Sequence, residues 1–197
     1  MGQRRSRTLD LYLLAHAVAS APPFDVRLPS GVWARALGIE SSASSGSAIS
    51  KHWTWLEDQR LISSRRSGRF REITLLKEDG SGDDYVHPGK EGNYFKLPYA
   101  YWHGNFQNRM GLPAKAVLLI ALSLRDEFIL PTRQGADWYG LSRDTVRKGL
   151  RTLRLLGVLD MTEAPKKAPL APLGFTMERR YTLRPPFRTA SEGVVEF

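Results

Sequence analysis

The sequence predicts an α+β fold that is mainly helical and that occurs twice along the chain. Three observations favour it: an internal repeat, a helical period of apolar residues in each copy, and a pair of alternating segments after each helical stretch. The chain has 197 residues, which is enough for two small domains.

The internal repeat consists of two aligned blocks. Residues 28–39 (LPSGVWARALGI) align without gaps on residues 130–141 (LPTRQGADWYGL). After a five-residue insertion in the first copy, residues 45–62 align on residues 142–159. Apolar residues coincide at three helically spaced positions of this second block, pairing Ile49 with Val146, Trp53 with Leu150, and Leu56 with Leu153. The repeat predicts that the two halves share one fold.

In the second copy the residues predict two helices joined by a tight turn. Thr132 is the expected N-cap of a short helix that Gly140 ends, and Ser142 is the expected N-cap of the next helix. Two helices joined in this way make a helix-turn-helix. Each copy also needs an earlier helix to close its core, which we assign to residues 9–19 and 113–128.

Each copy continues into a candidate two-stranded hairpin, or wing. The expected strands are residues 61–64 and 70–76 in the first copy. In the second copy they are residues 158–162 and 179–183, and their long, proline-rich connection is expected to be mobile.

A helix-turn-helix followed by a wing is a winged helix-turn-helix domain. We therefore predict two such domains in tandem, at residues 1–78 and 94–187. An acidic, glycine-rich linker at residues 79–93 joins them, and a tail follows at residues 188–197. Residues 94–110 carry apolar, mostly aromatic side chains that we expect to pack on the second domain: Phe95, Leu97, Tyr99, Tyr101, Trp102 and Phe106.

The composition narrows the class of protein. The 29 Lys and Arg residues outnumber the 20 Asp and Glu residues, and the resulting net charge of +9 favours a polyanionic partner. The absence of cysteine excludes a disulfide framework, a thiolate zinc site and a cysteine nucleophile. The four histidines are scattered, and no nucleotide-binding or catalytic motif occurs. We therefore expect no enzyme activity, cofactor or metal.

The basic residues of the second copy lie on one face of its second helix. Arg143, Arg147, Arg151 and Arg154 follow one another at spacings of four, four and three residues. Like charges at these spacings repel each other, so a surface helix without a polyanionic partner would more naturally alternate its charges. The stripe therefore favours a DNA-binding face over a merely solvated one.

The predicted DNA-binding residues are hydroxyl-bearing and basic side chains of the second helix and the wing. In the first copy they are Ser45, Ser47, Ser50, Lys51, Thr54, Arg65, Arg66, Arg69 and Arg71. In the second copy they are Ser142, Arg143, Thr145, Arg147, Lys148, Arg151, Lys166 and Lys167. The four arginines of the first wing are expected to crowd its tip, where they would grip phosphates or enter a minor groove.

Residues 130–159 resemble the winged-helix domain of GntR-type bacterial transcription regulators. The resemblance rests on the LP[ST] start, the spacing of Ala136 and Gly140, and the SRxTVRxxLxxLxxxGxL run. It implies that the Ser-Arg and Thr-Val-Arg residues face DNA, namely Ser142, Arg143, Thr145 and Arg147. Gly149 stands where the family prefers alanine. The effector-binding domain of such regulators has no counterpart in the printed sequence, so ligand-controlled regulation of that type is not expected.

A second resemblance involves the run YFKLPYAYWHGNFQNRMGLPAKAVLLIAL. It is similar to the opening of some domains of plasmid and phage replication initiators. Those proteins also use two consecutive winged-helix domains, so this resemblance implies the same fold and a role at a replication origin.

These observations favour a sequence-specific, double-stranded DNA-binding protein, with transcription regulation as the leading role. One chain would read a bipartite site with two recognition helices and their wings, and homodimerisation is left open. A cytoplasmic, nucleoid-associated location is expected, because the longest apolar run, residues 116–124, is too short to span a membrane. The alternatives are a plasmid or phage replication initiator and a tandem winged-helix module for protein–protein interaction.

Overall fold

The chain combines helices and strands in two compact units. The computed structural model describes residues 2–39, 45–68, 70–89, 94–131, 138–170 and 172–188, and the side chains of residues 2–4 and 45 are outside this description. Helical residues outnumber strand residues in the part of the chain that the structure describes, which confirms the expected α+β class with helix in excess. The two units are Met1–Gly92 and Asn93–Phe197. No helix in the described ranges combines the length and the apolar character that a bilayer crossing requires.

The first unit packs helices against a three-stranded antiparallel sheet. In chain order its described elements are α1 (Gly2–Val18), β1 (Asp25–Arg27), α2 (Ser30–Ala36), α3 (Ser45–Asp58), β2 (Ile62–Ser67) and β3 (Phe70–Leu75). The strand order is β1-β3-β2, so the expected hairpin is present and a third strand lies beside it. Helix α1 begins well before residue 9, where we expected its start.

Strand β1 is absent from the sequence-based prediction. Val26 is buried and pairs with Ile73 of β3, while its neighbours Asp25 and Arg27 are exposed. The preceding Phe24 is also buried. This alternation is the period-two signal of a half-buried strand, so the segment could have been recognised despite its short length.

Helix α3 is held in the first unit by its apolar face. Three positions at helical spacing are at most 3% exposed: Ile49, Trp53 and Leu56. The Trp53 ring packs edge-on against Trp33 of α2, with ring centroids 5.1 Å apart. A buried hydrogen bond of 2.7 Å joins His52 Nδ1 to Thr8 Oγ1 of α1. These contacts fix which side of α3 is exposed.

The acidic segment after β3 packs on the first unit over its first part. Leu76 and Asp84 form an isolated antiparallel bridge. The Tyr85 ring lies edge-on to two rings of the unit, with centroids 5.1 Å from His16 and 5.0 Å from Phe24. The segment is thus not a free coil from residue 79 onward, because an aromatic side chain anchors it.

The second unit combines helices with a two-stranded antiparallel ribbon. In chain order its described elements are α4 (Ala100–His103), α5 (Phe106–Arg109), α6 (Leu112–Ser123), α7 (Arg143–Leu155), β4 (Leu159–Lys167) and β5 (Phe175–Leu183). Residues 138–139 are also helical, while the expected N-cap Thr132 lies outside the described residues. Helix α6 ends at Ser123 rather than at residue 128, because the backbone of Leu124 is extended, with φ −100° and ψ 159°. Further on, the Phe128 carbonyl accepts a hydrogen bond from the Tyr181 amide at 2.8 Å.

The aromatic segment before α6 packs on the second unit only in part. Tyr101 is 1% exposed, and three neighbours are partly buried against the same core: Leu97, Trp102 and Phe106. Phe95 and Tyr99 are 39% and 77% exposed. The expectation that all six side chains pack on the unit is therefore wrong for these two residues.

Gly149 allows α7 to lie close against α6. A Cβ atom added to Gly149 would lie 2.5 Å from the Pro113 carbonyl oxygen and 2.5 Å from Val117 Cγ2. Both distances are far below van der Waals contact, and one of the atoms belongs to the backbone and cannot rotate away. Glycine at this position is therefore a packing requirement and not merely a departure from a family preference.

The β4–β5 ribbon is much longer than expected. Its register runs through nine residue pairs, from Leu159 opposite Leu183 to Lys167 opposite Phe175. Beyond the last pair, the Ala168 amide donates to the Gly174 carbonyl at 2.9 Å. We expected a mobile loop from residue 163 to residue 178. This connection is largely strand, because the pairing between the two strands continues into it.

The aligned positions of the internal repeat are equivalent in the two units. Gly38 and Gly140 have φ angles of 63° and 64°, a left-handed conformation that favours glycine, and each precedes the second helix of its pair. The residues aligned with Ile49, Trp53 and Leu56 are also at most 5% exposed: Val146, Leu150 and Leu153. An antiparallel hairpin follows the second helix in both units.

We expect Gly149→Ala to lower the free energy of unfolding of the second unit. Overpacking costs about 1–3 kcal/mol, which exceeds the gain of up to about 1 kcal/mol in helix propensity. Thermal and denaturant unfolding of the full chain measure the change. Gly46→Ala is the matched control, since its added Cβ meets only Ser30 Cβ at 4.0 Å. Equal stability of the two variants would contradict the close approach at Gly149.

Candidate nucleic-acid interface

Ser142 sets the start of α7. Its Oγ accepts a hydrogen bond from the Thr145 amide at 3.2 Å, which confirms the expected N-cap. The Ser142 and Thr145 hydroxyls also lie 2.8 Å apart. The cap satisfies one of the free amides at the helix start, and the remaining amides give this end a partial positive charge.

The buried and charged faces of α7 are separate. Val146, Gly149, Leu150 and Leu153 are buried against the core of the second unit. The exposed surface carries five basic side chains: Arg143, Arg147, Lys148, Arg151 and Arg154. Since the apolar face is held against α6, these cations cannot be turned inward without unfolding the unit.

Asp144 divides the five cations into two groups. Its Oδ1 accepts a hydrogen bond from Arg147 Nη2 at 2.9 Å, and its Oδ2 lies 2.6 Å from Lys148 Nζ. These two hydrogen bonds, the one from Lys148 being the stronger cause, lower the pKa of Asp144 below its ordinary value. A basic residue three or four positions after an acidic one is a sequence signal of such pairing, so the spacing of Asp144, Arg147 and Lys148 is sufficient to predict it.

The remaining three cations of α7 are uncommitted. Arg143, Arg151 and Arg154 are exposed, and none of them forms an ion pair within the part of the chain that the structure describes. They can therefore contact an anionic ligand without giving up an internal partner.

An open cleft of about 410 Å³ lies between the end of α7 and the start of β4. Its lining combines basic and apolar side chains: Arg151, Arg154, Leu155, Leu159, Asp160, Met161 and Arg184. Arg184 Nε lies 2.6 Å from Asp160 Oδ2, so this arginine is already paired. The cleft extends the positive surface of α7 toward the ribbon.

Helix α3 presents a much less basic surface. Four of its predicted DNA-binding residues are exposed on one face: Ser47, Ser50, Lys51 and Thr54. The Thr54 hydroxyl donates to the Ser50 carbonyl at 3.1 Å. Ser45 is the first residue of the helix, and its side chain is outside the described part of the structure. Lys51 is the only Lys or Arg in this helix, against five in α7.

The arginines of the first hairpin do not form one cluster. Arg65 Nη2 donates to Glu72 Oε1 at 2.7 Å, and this bond lowers the pKa of Glu72. Arg71 Nη1 lies 3.9 Å from a carboxylate oxygen of Glu57 on α3. Arg66 is exposed and makes only a long hydrogen bond of 3.4 Å to the Gly68 carbonyl.

The strand register separates these side chains further. Arg65 and Arg66 are adjacent in β2, so they point to opposite faces of the hairpin. Arg69 lies outside the described residues. Arg66 pairs in register with Arg71, so these two lie side by side, and the expectation of four arginines gathered at one tip is wrong for Arg65, which binds Glu72 on the other face.

The two lysines of the second ribbon also differ. Lys166 Nζ lies 2.6 Å from Glu178 Oε1, and Arg180 binds the other oxygen of Glu178 at 3.0 Å. Lys167 is exposed, lies on the opposite face of the ribbon, and pairs in register with Phe175.

Within the described ranges, no three His, Asp or Glu side chains are arranged to hold a metal ion. Comparisons of the chain with models of known protein families, with curated proteins and with solved structures find no match. The functional interpretation therefore depends on the geometry and charge of the surfaces described above.

We expect the Asp144 carboxyl to titrate below its ordinary pKa of about 3.9. Lys148→Ala should raise this pKa more than Arg147→Ala, because the hydrogen bond from Lys148 is the larger cause of the shift. The stability that the pairing contributes is present above the ordinary pKa and is lost as the pH falls through the lowered value. Carboxyl-carbon NMR titration measures both variants, and an unchanged Asp144 pKa in both would refute the pairing.

Proposed function

We propose that the protein binds double-stranded DNA sequence-specifically and that both units are winged helix-turn-helix domains. Helix α7 acts as the principal recognition helix, and the β2–β3 and β4–β5 hairpins act as wings. Transcription regulation is the leading biological role. The observation that carries the proposal is α7, a helix held by one face in its core and carrying five basic side chains on its exposed surface.

The charge pattern of α7 supports a polyanionic partner. Three of its cations have no internal ion pair among the described residues, and their mutual repulsion makes the free helix surface unfavourable unless an anion covers it. An α-helix fits the major groove of DNA, where arginine pairs with guanine and phosphate in bidentate geometry. The partial positive charge at the Ser142-capped end adds to the attraction for phosphate.

Asp144 gives the surface a means of discrimination. To contact DNA, Arg147 and Lys148 must break their bonds to the Asp144 carboxylate before they bind a base edge or a phosphate. Arg143 and Arg151 have no such internal bond to break. A carboxylate in the major groove accepts a hydrogen bond from cytosine but repels phosphate. We therefore assign sequence reading to Asp144 and Arg147, and phosphate binding to Arg151.

The first unit has a lesser share in this proposal. The exposed face of α3 carries hydroxyl groups and a single lysine. Hydroxyl groups hydrogen-bond both phosphates and bases, but they add no long-range attraction. We infer that the two elements of a bipartite site differ, with the second unit supplying most of the affinity.

The first test is the salt dependence of duplex binding by the full chain. About 6–10 phosphate contacts predict a slope of roughly −5 to −9 in a plot of log affinity against log salt concentration. Electrophoretic or anisotropy titrations on random-sequence duplexes measure it. A slope shallower than about −2, or no binding, would contradict the proposal and indicate a protein partner.

A second test separates base reading from phosphate binding. We expect Arg151→Ala to weaken binding to all duplexes equally and to reduce the salt slope by about one. Arg147→Ala should cost about 1–3 kcal/mol on a duplex selected from a random pool and less on the unselected pool. Affinities for both pools are compared with those of Arg125→Ala, an exposed arginine outside α7. Equal losses on the two pools in Arg147→Ala would show that Arg147 does not read bases.

The biological role has a separate readout. Footprints of the full chain on its own genome should fall on promoters if the protein regulates transcription. Footprints on an array of direct repeats at a replication origin would instead indicate that the protein is a replication initiator.

A further inference from the structure

The tip of the β4–β5 ribbon is an exposed apolar surface. Leu170 is fully exposed, and Leu173 is 75% exposed. Phe175 and Met177, on the adjoining strand, are 44% and 51% exposed. Residues 168–174 (APLAPLG) contain no polar side chain, whereas hairpin tips usually consist of polar turn residues. An exposed apolar patch of this kind is typical of a contact surface.

Phe175 and Met177 lie on one face at the outer end of the ribbon, next to the tip. The register pairs Pro165 with Met177 and Lys167 with Phe175, and side chains two residues apart share a face. This is the face that carries buried Tyr181 nearer the core. Between Tyr181 and Met177, the same face carries the ion pair of Glu163 and Arg179, 2.7 Å apart, so the apolar tip is a patch separate from the core of the unit.

A backbone hydrogen bond closes the base of the tip. The Ala168 amide binds the Gly174 carbonyl at 2.9 Å and closes the loop. Pro169 and Pro172 have restricted backbone angles. A closed loop base and two restricted prolines lower the conformational entropy that insertion into a partner would cost.

The charges beside the tip favour an anionic partner. Lys166 and Lys167 immediately precede the loop; Lys166 is paired with Glu178, whereas Lys167 is exposed and forms no ion pair among the described residues. The four apolar side chains form a small patch compared with the roughly 800 Å² that each partner buries in a stable protein–protein interface. Apolar side chains flanked by cations are the arrangement that minor-groove proteins use when they insert a wedge between base pairs and bind the neighbouring phosphates.

We propose that the β4–β5 ribbon inserts Leu170 and Leu173 between base pairs from the minor groove and kinks the DNA. This inference rests on the proposed function and extends it, because it assigns the ribbon a mechanical action on the duplex. Lys167 binds a backbone phosphate beside the wedge. Where two bases are partly unstacked, a leucine side chain takes the place of the neighbouring base. Leucine forms no hydrogen bonds with bases, so insertion depends only on how easily the base-pair step opens.

The test compares the full chain with the double variant Leu170→Ala, Leu173→Ala on a duplex selected from a random pool. 2-Aminopurine placed through the site reports unstacking, and energy transfer between dyes at the duplex ends reports bending. We expect the wild-type chain to increase 2-aminopurine fluorescence and to shorten the end-to-end distance. The double variant should bind roughly tenfold more weakly and lose both signals, with an unchanged salt slope because no phosphate contact is removed.

Val86→Ala is the matched control, because Val86 is also an aliphatic side chain and is 77% exposed outside the ribbon. Its variant should behave as the wild type. Unchanged unfolding temperatures would show that the ribbon variant is folded, as expected for side chains without core contacts.

The outcomes distinguish this inference from the proposed function. Failure of the wild-type chain to bind any duplex overturns both. Normal unstacking and bending by the double variant overturns the wedge alone. The wedge is also overturned if the substitutions abolish a dimer in sedimentation experiments or binding to anionic phospholipid vesicles while DNA distortion persists, since the tip would then contact a second copy or a lipid surface.

Discussion

The contact between α6 and α7 at Gly149 is the constraint from which the candidate interface follows. A backbone carbonyl of α6 occupies the space that a side chain at residue 149 would need, so α7 lies close against α6 through the face that carries this glycine. This packing places Val146, Leu150 and Leu153 in the core and leaves the basic residues outside. The charge on the surface is therefore positioned by apolar packing and not by interactions among the charges themselves.

Internal ion pairs decide how much of the formal charge a ligand can use. Asp144 engages two of the five cations of α7, while carboxylates face Arg65 and Arg71 in the first hairpin. The two Asp144 pairs are exposed and are screened by salt, so a polyanion can displace them, whereas Arg65 is paired with the buried Glu72. Among the described residues, α7 carries three cations without an ion pair and α3 carries a single lysine, which is why the proposed division of affinity favours the second unit.

The sequence predicted the parts of the structure that depend on local chemistry and periodicity. The cap at Ser142, the buried positions of α3 and α7, and the presence of both hairpins follow from turn residues and from the 3.6-residue period. What it did not predict depends on pairing between distant segments. The length of the β4–β5 ribbon, the bridge from Phe128 to Tyr181 and the bond from Arg65 to Glu72 are set by strand register, which residue types alone do not determine.

Gly38 and Gly140 share a left-handed backbone at equivalent places in two copies whose exposed residues differ widely. In each module, one small residue specifies the turn and three apolar residues specify the core. The rest of the surface is therefore free to change. In a chain with two copies of such a module, the two surfaces can change independently, since one copy can retain an existing contact while the other acquires a new one. The uneven charge of α3 and α7 is the kind of divergence that this arrangement tolerates, without any change to the scaffold that supports both helices.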